Sequence, residues 1–358
     1  MKKNNVVIFG PYVGEFGWEL LYWQGWVRKV CESHFTNHKK IAISFEGRDV
    51  FYDKVDEFRE LPQHLSSQIL SSRNYICDYW HDGQPSSSSD YFWSAKAVLQ
   101  QLRNGVRPHR ISRELINNDI PSIRALLIEY QESLRAEFAN YDSVEIYAPW
   151  HLNDFHGYSF GFDFNSGFDL GSPERVTRIE FNRQTLTRLS LENIVKDGKS
   201  ESIESKRVAI YPRRRNIRRS DKNWSESNYT ELIELFQAAG YEVGILGDRL
   251  GAYFTESAPA GVVDLINIED VGRLRVQMEF LKKSNLAVGA MSGATLFSLA
   301  TGTPTLIFGY AEEKSRYESE NFLKTPLLYH SHMNPTPKEL FELATNFLKN
   351  TIPVQLRV

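Results

Sequence analysis

The sequence predicts an α/β protein of two doubly wound domains, each a parallel sheet flanked by helices, and three observations carry that prediction. A chain of 358 residues is longer than a single core usually serves. Apolar runs of strand length alternate with helical patterns, which implies parallel strands joined by helices. A polar, charge-mixed stretch around residues 195–206, with Gly198 and several Ser, precedes a clean new strand, so the domains are set at residues 1–200 and 201–358.

The first domain opens with a strand at residues 6–9, the loop from Gly10 to Gly17, a helix at residues 18–30 and a second strand at residues 41–45. Residues 51–61 and 95–102 have helical spacing, residues 85–90 form a Ser-rich loop, and residues 120–138 form a longer helix with Pro121 near its start. Residues 144–148 read as a buried strand. The aromatic and glycine-rich run at residues 149–167 has the character of a loop that lines a cleft.

The second domain begins with a strand at residues 207–211 and a basic loop, followed by a helix at residues 228–239 that Gly240 closes. Strands at residues 242–246 and 262–266 and a helix at residues 271–283 come next. From Leu286 to Gly309 the chain reads as a strand, a small-residue turn, a short helix and a strand. Gly302 can cap that helix in the left-handed region and Pro304 prevents its continuation. The last helix is expected to pack back on the first domain.

Composition removes several classes. Hydrophobic content of 41% and charged content of 24% are those of a globular protein, and no apolar run is long enough to span a bilayer. The amino terminus has too short an apolar run for a secretory signal, so a cytoplasmic protein is expected, with peripheral attachment to the inner face of a membrane left open. A net charge of −3 gives no global attraction to nucleic acid. Cys31 and Cys77 supply neither a disulfide framework nor a zinc cluster and read as buried bystanders.

Two segments point to an anion. Ser292, Gly293 and Ala294 let the backbone pass close to a ligand, and the N–H groups of the helix starting near Thr295 would point at it. A diphosphate fits, although a βαβ unit that binds nothing explains the same residues. In Tyr211-Pro-Arg-Arg-Arg-Asn-Ile-Arg-Arg219, Arg213, Arg214, Arg215, Arg218 and Arg219 offer planar forks suited to phosphate oxygens, and a solvated charge run is the plainer account. Gly247 and Asp248, at a strand end, are candidates for nucleotide contact or for an ordinary turn.

The stretch from Asp264 through Leu281-Lys-Lys-Ser-Asn-Leu-Ala-Val-Gly-Ala-Met-Ser-Gly-Ala-Thr-Leu296 to Gly309 resembles the donor-binding half of GT-B glycosyltransferases, nearest to the heptosyltransferase-like group. The likeness covers about the last 150 residues. It implies a GT-B type α/β fold, two Rossmann-like doubly wound parallel-sheet domains facing a central cleft, with a nucleotide-sugar donor on the second and an acceptor on the first. In that group a similar turn reads Asp-Ser-Gly with a His three residues after the Gly; here Met291 and Leu296 stand at those places, so heptose specificity does not carry over.

In the resembling fold the first strand-to-helix loop faces the cleft. Glu15 on that loop is the first candidate for the general base of an inverting transfer, while Glu19, four residues on, falls in the first helical turn where the dipole favours an anion. His151 and Asp154 are the rival pair, with His156 and Asp163 nearby. Gly14, Phe16, Gly17, Trp18, Trp150 and Tyr158 are candidates for the acceptor, the aromatics through sugar stacking. Asp-x-Asp, P-loop, HExxH and CxxC motifs do not occur in the sequence.

The expectation is a metal-independent glycosyltransferase with no cofactor, moving a sugar from a nucleotide-diphosphate sugar to a hydroxyl of a glycan or lipid-linked saccharide, with inversion. A sugar-nucleotide epimerase, a transferase acting on modified DNA bases and a non-catalytic nucleotide-sugar binder are the alternatives. Nucleic acid is not the favoured partner.

Overall fold

The structure, a computed structural model, describes residues 5–13, 16–71, 120–148, 206–215, 220–249, 251–268, 272–319, 321 and 323–351. The chain divides into two compact units, Met1–Thr185 and Leu186–Val358. The boundary expected at residue 200 lies outside the described residues, as do the segments at residues 85–90 and 95–102.

The first unit is a parallel sheet of β1 (Asn5–Phe9), β2 (His38–Ser44), β3 (Glu57–Glu60) and β4 (Ser143–Tyr147), in the order β3-β2-β1-β4. After Asn5, β1 is an unbroken apolar run, as burial on both faces requires, and Val6, Val7, Ile8 and Phe9 are all fully buried. Between β1 and β2 the helical run is α1 (Phe16–Trp18), a π-helical segment (Glu19–Trp23) and α2 (Gln24–Ser33). Val6 and Ile8 pack with Ile41, Ile43 and Leu65 of α3 (Gln63–Ser71), and with Leu127 and Leu134 of α4 (Ile120–Glu137).

The helix expected at residues 51–61 does not form. A 3-10 turn at Asp49–Phe51 leads instead to β3, whose residues pair with Ile41 through Ser44. The apolar residues that suggested a helical face anchor opposite ends of the segment, with Phe51 and Leu61 both buried. Between them β3 carries charge. Glu57 pairs with Lys39 at 2.7 Å and with Arg59 at 2.5 Å, and Arg59 reaches Glu137 at 2.9 Å.

The second unit is a six-stranded parallel sheet of β5 (Arg207–Tyr211), β6 (Glu242–Ile245), β7 (Val263–Asp264), β8 (Leu286–Ala290), β9 (Thr305–Phe308) and β10 (Leu327–His330), in the order β10-β9-β8-β5-β6-β7. Its helices are α5 (Glu226–Ala238), α6 (Arg273–Lys282), α7 (Gly293–Thr301), α8 (Lys314–Ser319) and α9 (Pro337–Thr351). The Ser225 hydroxyl caps α5 by accepting from the Asn228 N–H at 3.2 Å. Gly302 ends α7 at φ 82°, the left-handed conformation in which a Cβ is costly, as the Gly-x-Pro sequence foretells. α9 packs on α5 within this unit, through Phe236 and Phe341 with ring centroids 5.1 Å apart. Among the described residues no helix is long and apolar enough to cross a membrane.

Close approach sets the position of α7. A Cβ on Gly289 would lie 2.8 Å from Thr295 Cγ2 and 2.9 Å from Tyr211 Cβ, so β8 admits no side chain where α7 meets β5. Gly289→Ala is expected to cost about 1–3 kcal/mol by overpacking, seen as a lower urea midpoint at unchanged slope.

Candidate functional site

In the second unit the chain winds from β5 outward to β6 and β7, then crosses to the other side of β5 with β8 and continues to β9 and β10. Winding reverses between β5 and β8, and at such a reversal the outgoing connections part to leave a crevice beyond the strand ends. Tyr211 is paired with Gly289. The arginine loop and the Ser292 turn, which begin two or three residues later, therefore emerge side by side.

Ser292 is extended, at φ −163° and ψ 166°, and forms the N-cap of α7. Its hydroxyl faces the Thr295 N–H at 3.4 Å, and the Thr295 hydroxyl donates back to the Ser292 carbonyl at 2.8 Å. Thr295 is fully buried, so its side chain braces the turn, while Ser292, Gly293 and Ala294 stay partly accessible. Helix geometry gives the Gly293 and Ala294 N–H groups no intrahelical acceptor, which concentrates positive potential there. Met291, at the place of the resembling group's Asp, is buried beneath the turn, and its sulfur accepts from the Tyr310 N–H at 3.3 Å. Leu296, at the place of the His, is buried as well.

The described part of the arginine loop, through Arg215, is held in place. Its backbone runs against residues 251–253: the Arg214 N–H donates to the Gly251 carbonyl at 2.8 Å and the Tyr253 N–H to the Pro212 carbonyl at 2.7 Å. Asn223 folds the loop back on itself, its Oδ1 accepting from Arg213 Nη1 at 2.5 Å and from the Arg215 N–H at 2.9 Å, its amide donating to the Arg215 carbonyl at 2.7 Å. The segment after it docks on the connection following β9. The Tyr310 hydroxyl donates to the Asp221 carboxylate at 3.1 Å, and Lys222 lies 3.9 Å from Glu313.

Arg213 is 8% exposed. Burial, and then the charge of Arg215, pull its pKa down to about 10, against the opposing influence of Tyr229, Asp221 and Tyr317. It remains a cation at neutral pH. Tyr317, within the electrostatic reach of Arg213, also donates to the Ser292 carbonyl at 3.4 Å, which ties the guanidinium's surroundings to the turn. A buried cation beside a second cation and a helix start favours an arriving anion. Arg214 instead stacks over the Tyr253 ring at 5.4 Å and is exposed, and Arg218 and Arg219 lie outside the described residues.

At the end of β6, on the other side of β5, Gly247 has φ 140° and Asp248 is exposed. The Gly247 carbonyl is held by buried Gln277, whose amide also donates to the Leu265 carbonyl, both at 2.8 Å. Asn223 and Gln277 organise this edge, yet neither stood out in the sequence. Their partners lie up to 30 residues away and no local spacing marks them.

In the first unit the winding reverses between β1 and β4. Gly14, Glu15, Trp150, His151, Asp154 and Tyr158 lie outside the described residues, as do His156 and Asp163; Gly17 is in α1, and of Trp18 only the backbone is described. Glu19 is placed clearly. It is fully buried, its Oε1 accepting from the Ser44 and Tyr52 hydroxyls at 2.5 Å each, and its Oε2 pairs with Arg48. Burial opposes the Arg48 charge, but Glu19 outweighs it and raises the pKa. Burial, then Glu19, push the Tyr52 phenol well above its ordinary range. The Arg48 guanidinium also lies over the rings of Phe45 at 4.6 Å and Phe16 at 5.5 Å. Glu19 thus pins the connection after β2 to the start of the helical run. Cys31 is buried with its thiol pushed up to about 12, and Cys77 lies outside the described residues.

No family model and no curated protein matches the sequence. Solved structures do match. ADP-heptose lipopolysaccharide heptosyltransferase II of E. coli is 12% identical, with 97% of this chain and 99% of that one covered and a TM-score of 0.43. A glycosyl transferase of family 9 from Veillonella parvula is 9% identical over 97% of both chains, with a TM-score of 0.43. The E. coli heptosyltransferase WaaC, solved with ADP, is 12% identical over 96% of this chain and 98% of that one, with a TM-score of 0.37. Each is a protein to which this chain is similar.

The Glu19 network generates a prediction of its own. Glu19→Ala leaves the partly buried Arg48 without its carboxylate and is expected to cost about 3–5 kcal/mol. The double substitution Glu19→Leu with Arg48→Met removes both charges and recovers most of that loss. Urea denaturation of the two variants measures the difference.

Proposed function

We propose that this chain is a glycosyltransferase that moves a sugar from a nucleotide-diphosphate donor to a hydroxyl acceptor. The observation that carries the reading is that the buried Arg213 and the accessible first turn of α7 lie on the two connections that leave the strand reversal of the second unit, with Tyr317 in reach of both. The resemblance of residues 264–309 to the donor half of GT-B enzymes supports it independently.

Transfer breaks the bond between the anomeric carbon and the diphosphate, whose oxygen leaves with the electron pair. Arg213, Arg215 and the Gly293 and Ala294 amides stabilise the charge that develops there, which is the task a metal performs in enzymes carrying Asp-x-Asp. The reaction is therefore proposed as metal-independent. Arg218, Gly247 and Asp248 belong to the same donor set, the last two toward the nucleoside. Glu15, between Val13 and Phe16 on the connection after β1, takes the acceptor hydroxyl's proton as that oxygen bonds to the anomeric carbon from the opposite face. Such an attack inverts the anomeric centre. The acceptor is a glycan or lipid-linked saccharide hydroxyl.

Thermal unfolding with a panel of nucleoside diphosphates and their sugars tests the donor site, because a ligand of the folded state raises the melting temperature. One nucleotide is expected to stand out. Arg213→Met, a replacement a buried site tolerates, should lose about 1.5–3 kcal/mol of its binding, roughly 10–100-fold in affinity. Failure of every diphosphate to shift the melting temperature overturns the reading. Glu15→Gln should lower turnover by about 10²–10⁴-fold with donor affinity unchanged. Retained anomeric configuration in the product, read by NMR, removes Glu15 from that role, and conversion of the donor alone with no acceptor identifies an epimerase.

A further inference from the structure

The end of β10 brings together a second set of groups, two strands beyond β8 at the edge of the sheet. His330 is the last residue of β10, His332 follows it, and Glu339 lies in the first turn of α9. One ligand atom from each falls within 4.8 Å of the others. The His332 N–H donates to the His330 carbonyl at 2.9 Å, a tight turn that holds the two rings 5.9 Å apart.

His330 Nε2 is buried and lies 3.2 Å from Glu339 Oε1, yet among the described residues it has no hydrogen-bond partner. Two ligands of one tetrahedral ion, each about 2.0–2.1 Å from it, stand about 3.3 Å apart without pointing at one another. The carboxylate is also fixed from behind. Glu339 Oε2 accepts from the Thr336 N–H at 3.3 Å, while the Thr336 hydroxyl accepts from the Glu339 N–H at 3.2 Å, a capping box that leaves Oε1 turned toward His330. We propose that His330, His332 and Glu339 bind one divalent transition-metal ion of the zinc class, with water in the fourth position. Imidazole and carboxylate together suit that class. The ion would clamp the carboxyl end of the edge strand to α9, two strands away from β8.

The test uses the full chain, stripped with a chelator and titrated with zinc chloride by calorimetry, and with cobalt chloride by visible absorption. One equivalent is expected to bind, to raise the melting temperature and to give the intense cobalt bands of four-coordinate geometry. His332 is exposed, so His332→Ala should fold as before, keep its metal-free melting temperature and lose zinc affinity by at least ~10-fold. Glu339→Gln should weaken zinc similarly while the capping box survives. Absence of zinc binding would reduce the cluster to a histidine–carboxylate contact, and binding unchanged in His332→Ala would place the metal elsewhere; either result overturns the proposal.

Discussion

Parallel pairing delivers every connection that leaves a strand to the same edge of its sheet, and the rest of this protein's chemistry depends on that constraint. Tyr211 beside Gly289 fixes where the arginine loop and the α7 turn begin. The glycine is needed there because the β-carbon of Tyr211 and the methyl of Thr295 fill the space a side chain would take. Positive charge then gathers from two sources that cannot drift apart, a guanidinium anchored through Asn223 and a helix start braced by Thr295.

Concentrating cations costs free energy. Arg213 is desolvated and faces Arg215, and its pKa is lowered as a result. The loop stands because Asn223 holds three of its polar groups, because Asp221 and Lys222 are held by Tyr310 and Glu313, and because the Trp224 indole donates to the Pro335 carbonyl at 3.0 Å. The first unit solves the opposite problem. There a buried carboxylate, Glu19, is enclosed by Ser44, Arg48 and Tyr52, and the network gives rigidity to a connection that the backbone alone would leave loose.

The apolar runs within Arg207–Tyr211, Leu286–Ala290 and Thr305–Phe308 were legible as strands because burial on both faces leaves one signature. So was the Gly302 cap, a matter of local backbone chemistry. The segment at residues 51–61 was misread because β3 is a charged edge strand of four residues, too short for its alternation to outweigh the helical spacing of its apolar flanks. Glu19 looked like an ordinary first-turn acid since its three partners lie 25 to 33 residues away. Met291 looked like a lost ligand. Its place under the turn is visible only once Tyr310 and Tyr329 converge on its sulfur. The same holds for His330 and Glu339, which a turn and a helix start bring within 3.2 Å.

The ladder of opposite charges along β3 has a consequence for how these molecules behave in a crowd. An outermost strand with apolar side chains invites a neighbour's backbone to continue the sheet, which is how soluble chains begin to aggregate. Lys39, Glu57, Arg59 and Glu137 would have to surrender water and one another before a second copy could add there. That penalty opposes continuation of the sheet past β3.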